Sequence, residues 1–213
     1  MRTIFAFIGP QGSGKGTQAQ LLAKKLGYEL LVMGDILRDT ASHNTEEGTM
    51  VNSYLLRGEL VPDKSTIQLF EESYHAFKNP RGVILDGFPR TITQAIYLDG
   101  LEHVTAVVYF ALMPDVAVKR IAGRRVCAHG HNFNVYYVRP KQEGVCDIDG
   151  LPLSVRADDT EAAVQKRLAV YMSVTTKVID HYRTQDKLFE VDAAQSVDHV
   201  QEAVDTIIKK YAH

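Results

Sequence analysis

The sequence predicts an α/β fold in which a parallel sheet has helices on both faces. Patterns typical of strands and of helices alternate along the 213 residues and are joined by short connections, which favours right-handed β-α-β crossovers. The first predicted strand, residues 2–8, ends in a glycine-rich loop that leads directly into a helical pattern. Because ligands bind at the carboxyl ends of the strands in such sheets, a binding site is expected beside this loop.

The predicted elements follow one another in a simple order. Strands are expected at residues 2–8, 28–32, 82–85, 105–112 and 188–191. Helices are expected at residues 15–26, over most of 34–78, and at 91–100, 114–123, 158–183 and 197–211. The long helical region should break at Gly48, Gly58 and Pro62, since glycine and proline interrupt helices. Residues 127–156 are rich in Gly, Asn, Asp, Tyr and Val, so a small β insertion is predicted there.

The composition limits which classes of protein the chain can belong to. A net charge of -2, from 24 basic and 26 acidic residues, gives no indication of nucleic acid or an anionic membrane as a partner. The amino-terminal apolar stretch of about six residues is too short for a signal peptide, and no apolar run approaches the ~18 residues of a membrane-spanning helix. Cys127 and Cys146 do not make a disulfide framework. We therefore expect a cytoplasmic protein that acts as a monomer.

The loop GPQGSGKGT at residues 9–17 predicts a phosphate-binding site. Its glycines let backbone N–H groups line an anion-sized hollow, and Lys15 and the amino-terminal end of the following helix add positive charge. An ordinary glycine-rich turn is the alternative, but strand, loop, lysine and helix occur together and in order. Gly16 departs from the general motif, in which Ser or Thr follows the lysine. The residues expected to bind the phosphates of ATP or GTP are Gly12, Ser13, Gly14, Lys15, Gly16 and Thr17.

Further motifs lie beyond the loop. They are GDILR at 34–38, RGELV at 57–61, DGFPRT at 86–91 with Gln94 beyond it, and GRR at 123–125 and RADD at 156–159 on either side of the insertion, followed by Arg167. With these motifs the chain resembles, over essentially its whole length, the adenylate kinase family of nucleoside monophosphate kinases, in the form whose lid is an inserted β domain. The resemblance implies a core domain (1–31, 62–123 and 161–213), a nucleoside-monophosphate-binding arm (32–61) and a lid (124–160).

The resemblance also implies the reaction ATP + AMP ⇌ 2 ADP, with Mg²⁺ bound alongside ATP. Such a transfer needs no protein nucleophile; it needs two phosphate chains held in line and charge stabilised on the moving group. By resemblance, Lys15 spans the β and γ oxygens, and Asp86 orients the waters of the metal ion. Arg38 and Arg90 hold the AMP phosphate. The arginines expected to close on ATP and the transferred group are Arg120, Arg124, Arg156 and Arg167.

Each of these assignments has a simpler alternative. A single arginine is more often a solvated surface charge than a ligand, and Asp86 could be a helix cap. The collective pattern favours the functional interpretation. The residues expected to be catalytic are Lys15, Asp86, Arg90, Arg124, Arg156 and Arg167. A catalytically degenerate nucleotide-binding protein of the same fold would lack phosphate-contacting residues, and this chain retains them.

Base preference is predicted from one residue that matches the family pattern and from positions that depart from it. In the family, the residue matching Gln94 recognises adenine through its amide, which both donates and accepts. Met33 stands where Thr or Ser is usual, and Ala193 or Ala194 stands where Gly is usual. These departures leave open GTP:AMP transfer or another nucleoside monophosphate kinase activity. The residues expected to bind AMP are Met33, Arg38, Leu60, Val61, Gly87, Arg90, Gln94, Arg156 and Arg167.

The insertion contains a candidate zinc site. Some relatives bind structural zinc here through paired Cys-x-x-Cys motifs, and this chain has Cys127 and Cys146-x-x-Asp149 in the same register. The fourth ligand is displaced: His129 is the preferred residue and His131 the alternative. Two cysteines, a histidine and an aspartate form an acceptable tetrahedral zinc set. A metal-free lid with two packed cysteines remains the competing hypothesis.

Overall fold

The fold was determined as a computed structural model that describes residues 2–79 and 81–211. Met1 and residues 212–213, at the ends of the predicted core domain, and Pro80 lie outside the described residues. The strands in chain order are β1 (Thr3–Ile8), β2 (Glu29–Val32), β3 (Gly82–Asp86), β4 (Ala106–Ala111), β5 (Arg124–Val126), β6 (Asn132–Asn134) and β7 (Leu188–Asp192).

Five of the strands in the described residues form a parallel sheet in the order β2-β3-β1-β4-β7, which confirms the predicted fold class. β1 lies at its centre, and its side chains alternate between the two faces. Ile4, Ala6 and Ile8 pack into the core on one face, and Phe5 and Phe7 pack into the core on the other. Burial on both faces explains why residues 4–8 of this strand are all apolar.

Helices cover both faces of the sheet. They are α1 (Lys15–Leu26), α2 (Met33–Ser42), α3 (Glu46–Arg57), α4 (Asp63–His75), α5 (Ile92–Leu101), α6 (Pro114–Ala122), α7 (Glu161–Val170), α8 (Thr176–Arg183) and α9 (Val197–Ile208). The single helix predicted at 158–183 is divided, since a π-helical turn, Tyr171–Thr175, joins α7 to α8.

The break predicted at Gly48 is wrong, because this residue lies in the first turn of α3. The interruption falls instead between α2 and α3. Thr45 caps α3 there, with its hydroxyl oxygen accepting a hydrogen bond from the Gly48 N–H at 2.9 Å. A threonine cap satisfies an N–H group that has no partner within the helix, so the cap, rather than the glycine, sets where α3 begins.

Two segments extend from the sheet and border the functional site. Helices α2 and α3 form an arm that follows β2, and β5 and β6 form an antiparallel pair within the insertion. Gly58 ends α3 with a left-handed backbone (φ 69°), and a Cβ there would lie only 2.3 Å from the carbonyl oxygen of Ala163 in α7. The arm therefore approaches α7 at backbone-to-backbone distance. Among the helices of the described residues, none has the length and apolar character needed to span a bilayer.

Candidate active site

The predicted phosphate loop connects the end of β1 to α1, as expected from the sequence. The Lys15 ammonium group donates a hydrogen bond to the Pro10 carbonyl oxygen at 3.1 Å, which holds the lysine across the loop. Burial lowers the pKa of Lys15 to about 8; the Asp86 carboxylate opposes this shift, and the guanidinium group of Arg90 adds to it. The loop thus presents a lysine that an incoming phosphate would return to full charge.

Asp86 ends β3 beside the same loop and is buried. Burial raises the pKa of its carboxyl group, while the charges of Lys15 and Arg90 oppose the rise. A Cβ on Gly16 would lie 3.0 Å from Asp86 Oδ2, so a Ser or Thr side chain at position 16 would crowd the carboxylate. This close approach is a physical reason for the departure from the general motif.

A cavity of about 510 Å³ lies between the phosphate loop, the arm and the insertion. In the part of the chain that the structure describes, seven cationic side chains and four carboxylates line it, an excess of three positive charges. The cationic residues are Lys15, Arg38, Arg90, Arg120, Arg124, Arg156 and Arg167. The carboxylates are Asp35, Glu59, Asp86 and Asp158. All seven cations predicted from the sequence therefore border one cavity, and their excess charge suits a polyanionic ligand.

Asp159 orients two of the arginines. Its side chain is 1% exposed, and its carboxylate accepts hydrogen bonds from Arg124 Nε at 2.8 Å, Gln11 Nε2 at 3.2 Å and Arg167 Nη1 at 3.3 Å. The charge-assisted bonds with the arginines are of the strong, directional kind. One carboxylate thus links the base of the insertion, the phosphate loop and α7.

Arg167 is held by further partners. Its Nη2 donates to Asp158 Oδ2 at 2.5 Å and to the backbone carbonyl oxygen of Leu55 in α3 at 3.1 Å, and its Nη1 lies 3.3 Å from Gln11 Oε1. Because these partners come from the loop, the arm and the residues before α7, the guanidinium group stands at the junction of all three regions.

Arg90 is fixed on the other side of the cavity. Its Nε donates to the Gly87 carbonyl oxygen at 2.8 Å, and its backbone N–H donates to Gln94 Oε1 at 2.7 Å. Burial lowers the pKa of the Arg90 guanidinium, with the Asp86 charge opposing the shift. A partly buried guanidinium with so constrained a backbone is suited to hold an anion at a fixed position.

The remaining arginines border different walls of the cavity. Arg120 donates to the carbonyl oxygens of Ala193 at 2.7 Å and Ala194 at 3.2 Å. Arg156 Nη2 donates to Asn132 Oδ1 at 3.3 Å, and burial lowers the Arg156 pKa to about 10. Arg38 forms an ion pair with Asp35.

Three residues predicted to bind AMP do not line the cavity. Met33, Val61 and Gln94 are buried, with 1%, 4% and 2% of their surface exposed, whereas Leu60 and Gly87 border the cavity. The Gln94 amide is engaged within the protein, since its Nε2 donates to Asp63 Oδ1 at 2.8 Å and its Oε1 accepts from the Arg90 N–H. Recognition of a base by Gln94 would require an exchange of these partners, and the role stays a prediction.

Comparison with known proteins assigns the family. A family model described as adenylate kinase matches residues 7–187. The chain belongs to the adenylate kinase family. It is similar to the adenylate kinase of Streptomyces avermitilis, at 42% identity over 96% of this chain and 97% of the relative. It is also similar to those of Thermosipho melanesiensis, at 41% over 96% and 98%, and Borrelia turicatae, at 37% over 96% and 98%. It is thus a phosphotransferase of the nucleoside monophosphate kinase class.

Adenylate kinases use magnesium with ATP, and the residues of this family member fit that ion. Asp86 offers a carboxylate and Thr17 a hydroxyl group, and both border the cavity beside Lys15. Mg²⁺ prefers such hard oxygen ligands and keeps several waters. The space next to Asp86 Oδ2 that a side chain at position 16 would fill is left free by Gly16. Asp86, with Thr17, would hold the hydrated ion, and this role stays a prediction.

Sequence reasoning missed three polar residues of this adenylate kinase site. Gln11, Asp158 and Asp159 orient Arg124 and Arg167 through the bonds described above. The signal for the two aspartates was present in the RADD motif at 156–159, which places two acidic residues directly after an arginine. Gln11 occupies a variable position of the loop motif, so no sequence signal distinguished it.

The insertion brings four potential metal ligands together. One ligand atom from each of Cys127, His131, Cys146 and Asp149 lies within 4.8 Å of all the others. His131 Nδ1 is 2.9 Å from Asp149 Oδ2, 3.3 Å from Cys127 Sγ and 3.5 Å from Cys146 Sγ. The set of two sulfur, one nitrogen and one oxygen donors matches those that bind zinc.

The structure favours the alternative histidine over the preferred one. The side chain of His129 is 67% exposed, and its polar contact with the cluster is to Asp149 Oδ2, 3.1 Å from its Nδ1. The backbone N–H of Cys127 donates to the His131 carbonyl oxygen at 3.2 Å, and a turn at Gly130 closes between them. This pairing brings the His131 ring beside the Cys127 sulfur, which the spacing in the sequence does not reveal.

Proposed function

We infer that this chain catalyses the reversible transfer of the γ-phosphoryl group of ATP to AMP, giving two molecules of ADP. The observation that carries the inference is the single cavity into which the phosphate loop, the arm and the residues flanking the insertion all direct cationic side chains. A donor chain of three phosphates and an acceptor phosphate carry far more negative charge than one simple anion. An excess of three positive charges suits their joint binding.

The residues of the cavity divide between binding, orientation and charge stabilisation. We assign Lys15 to the β and γ phosphates of the donor and Arg90, with Arg38, to the acceptor phosphate. Arg124, Arg156 and Arg167 can surround the group in transit, because guanidinium forks pair with phosphate oxygens two at a time. Magnesium, when bound with ATP, neutralises part of the charge on its phosphates.

The transfer requires no covalent intermediate on the protein. Its rate depends on alignment of the donor and acceptor and on fixed positive charge around the moving group. The partly buried positions of Lys15 and Arg90 at the wall of the cavity favour this role, since charges act more strongly where water is excluded.

ATP and AMP are the expected substrates, in keeping with the names of the relatives. GTP:AMP transfer, which Met33 and the alanines at 193 and 194 left open, is not favoured by these relatives. An assay of ADP formation with all pairs of four nucleoside triphosphates and four monophosphates tests the function. We expect ATP with AMP to give the highest kcat/KM. A preference for another pair, or no transfer with any pair, would overturn the assignment.

We propose in addition that the insertion binds one structural zinc ion through Cys127, His131, Cys146 and Asp149. The convergence of the four ligand atoms supports this. So does the size of the apolar cluster beside them, which among the described residues consists of the two cysteines, Phe133 and partly buried Leu151 and Leu153. A small lid with so few apolar residues would gain stability from a metal. The division into core, arm and lid, the monomeric state and the cytoplasmic location stay predictions.

A further inference from the structure

Thr175 makes an unusual contact for a helical threonine. Its hydroxyl group donates a hydrogen bond to the backbone carbonyl oxygen of Arg90 at 3.0 Å, across 85 positions of sequence. Thr175 is 6% exposed and borders the cavity on the side of Arg90. A side-chain hydrogen bond this remote and this well buried contributes to the position of Arg90 rather than to local helix structure.

The neighbouring hydroxyl groups show the usual behaviour. Thr176 donates to the carbonyl oxygen of Met172, four residues earlier, at 2.9 Å, and Ser173 donates in the same way to Ala169 at 3.0 Å. Such bonds within the helix are the ordinary choice for Ser and Thr. Thr175 ends the π-helical turn that joins α7 to α8. π-helical turns are rare and occur frequently at functional sites. Here the turn ends at Thr175, whose hydroxyl group donates to the backbone carbonyl oxygen of Arg90.

The contact completes a set of three constraints on Arg90. Gln94 accepts from its backbone N–H at 2.7 Å, Gly87 accepts from its Nε at 2.8 Å, and Thr175 donates to its carbonyl oxygen. Gln94 and Gly87 belong to the segment that contains Arg90 itself. Thr175 is thus the member of the set that ties Arg90 to the helical run bearing Arg167.

We propose that Thr175 is a positioning residue for the acceptor phosphate: its hydroxyl group fixes the backbone of Arg90 relative to the helix that bears Arg167. This proposal rests on the proposed function, in which Arg90 holds the phosphate of AMP. This hydrogen bond then contributes directly to the distance between Arg90 and Arg167. A misplacement of this kind lowers transfer efficiency even though no substrate contact is removed.

The test compares variants of Thr175 with a variant of its neighbour. Thr175→Val removes the hydroxyl and keeps the shape, Thr175→Ser keeps the hydroxyl, and Thr175→Ala is the second hydroxyl-free variant in case valine prevents folding. Thr176→Val is the matched control, because its hydroxyl bonds only within the helix. For each, kcat and the KM values for AMP and ATP are measured.

We expect Thr175→Val and Thr175→Ala to lower kcat/KM for AMP by about tenfold, the ratio that one lost hydrogen bond of this kind represents. The KM for ATP should change by less than about twofold, and Thr175→Ser and Thr176→Val should resemble the wild type. Unchanged kcat/KM for AMP in both hydroxyl-free variants, or equal rises in the KM values for ATP and AMP, would overturn the proposal. A wild-type chain without ATP:AMP transfer would instead refute the proposed function.

Discussion

Arg124 and Asp159 form a two-point ion pair in which Arg124 Nε lies 2.8 Å from Asp159 Oδ2 and Nη2 lies 2.5 Å from each carboxylate oxygen. The Asp159 side chain is 1% exposed and that of Arg124 is 16% exposed. The same carboxylate also accepts from Gln11 and Arg167. A single carboxylate therefore contacts and orients two of the cations that we assign to the transferred phosphoryl group.

Replacing Asp159 should reduce both stability and turnover. In Asp159→Asn, two largely buried guanidinium groups lose their shared counter-charge, and removal of one partner of a buried ion pair costs up to about 3–5 kcal/mol. We expect a lower Tm and a fall in kcat of at least about tenfold, because the arginines lose their orientation. The control is Asp180→Asn, whose pair with Arg183 is exposed and worth at most about 1 kcal/mol. Equal behaviour of the two variants would contradict this role of Asp159.

Binding of ATP should weaken above about pH 8. Since burial lowers the pKa of Lys15 to about 8, the folded protein loses this charge at a lower pH than the unfolded chain. The cost of burying the charged lysine is therefore present below pH 8 and disappears as the pH rises. The donor phosphates, however, need the charged form. Affinity for a non-hydrolysable ATP analogue should fall by up to about tenfold per pH unit above 8.

The Lys15→Ala variant provides the control for this pH dependence. It should bind the analogue weakly with a flatter profile, and its turnover should fall by at least about a hundredfold. Calorimetric titration from pH 6.5 to pH 9.5 measures both proteins. A wild-type profile as flat as that of the variant would show that Lys15 does not titrate in this range. Near wild-type turnover in the variant would refute the assignment of the donor site.

Substitution of Gln94 distinguishes base recognition from support of Arg90. If the amide recognises adenine, Gln94→Ala should lower kcat/KM for AMP more than for CMP, because the polar groups of the base lose a partner. If the amide only holds the Arg90 backbone, both acceptors should suffer alike. We expect the AMP:CMP ratio to fall. Steady-state kinetics with the two acceptors at saturating ATP gives this ratio, and an unchanged ratio would leave Gln94 with the structural role alone.

The lid should contain about one zinc ion per chain. His131→Ala removes a member of the converging set, whereas His129→Ala removes a neighbouring, exposed histidine. Elemental analysis should find zinc in the wild type and in His129→Ala, and little in His131→Ala. Loss of the metal to a chelator or on acidification should lower the Tm, since the ligands must be deprotonated and the bound state is the folded one. Metal-free wild-type protein with both thiols titratable in the native state would show that packing alone holds the lid.

The sheet and the phosphate loop were predictable because their signals are local. An unbroken apolar run such as residues 4–8 is typical of a strand that is buried on both faces. The loop motif likewise determines its own backbone conformation. The start of α3 was not predictable from Gly48, because the Thr45 cap decides it. The environment of a residue was hardest to predict from the sequence where it depends on segments remote along the chain. Met33 and Gln94 are close in sequence to cavity residues, yet tertiary packing buries them.

The choice between His129 and His131 is a second case in which tertiary contacts, rather than the sequence, decide the position of a side chain. Both residues stand within four positions of Cys127, and spacing alone ranks His129 first. The backbone pairing of Cys127 with His131 reverses this order, because it determines which ring faces the sulfur atoms. Side-chain convergence in a short turn follows the hydrogen bonds of the turn, which a linear spacing does not encode.

The contact of the arm with α7 has a consequence for the fate of ATP. Leu55, in the arm, accepts a hydrogen bond from Arg167 at 3.1 Å, and Gly58 touches Ala163 one turn before Arg167. Movement of the arm away from α7 would release this arginine from one of its anchors. A kinase that aligned all its cations around ATP in the absence of an acceptor would transfer the phosphoryl group to water and so hydrolyse ATP. Because the alignment of Arg167 depends on contact between the arm and α7, we expect ATP hydrolysis to be slow when no acceptor is bound.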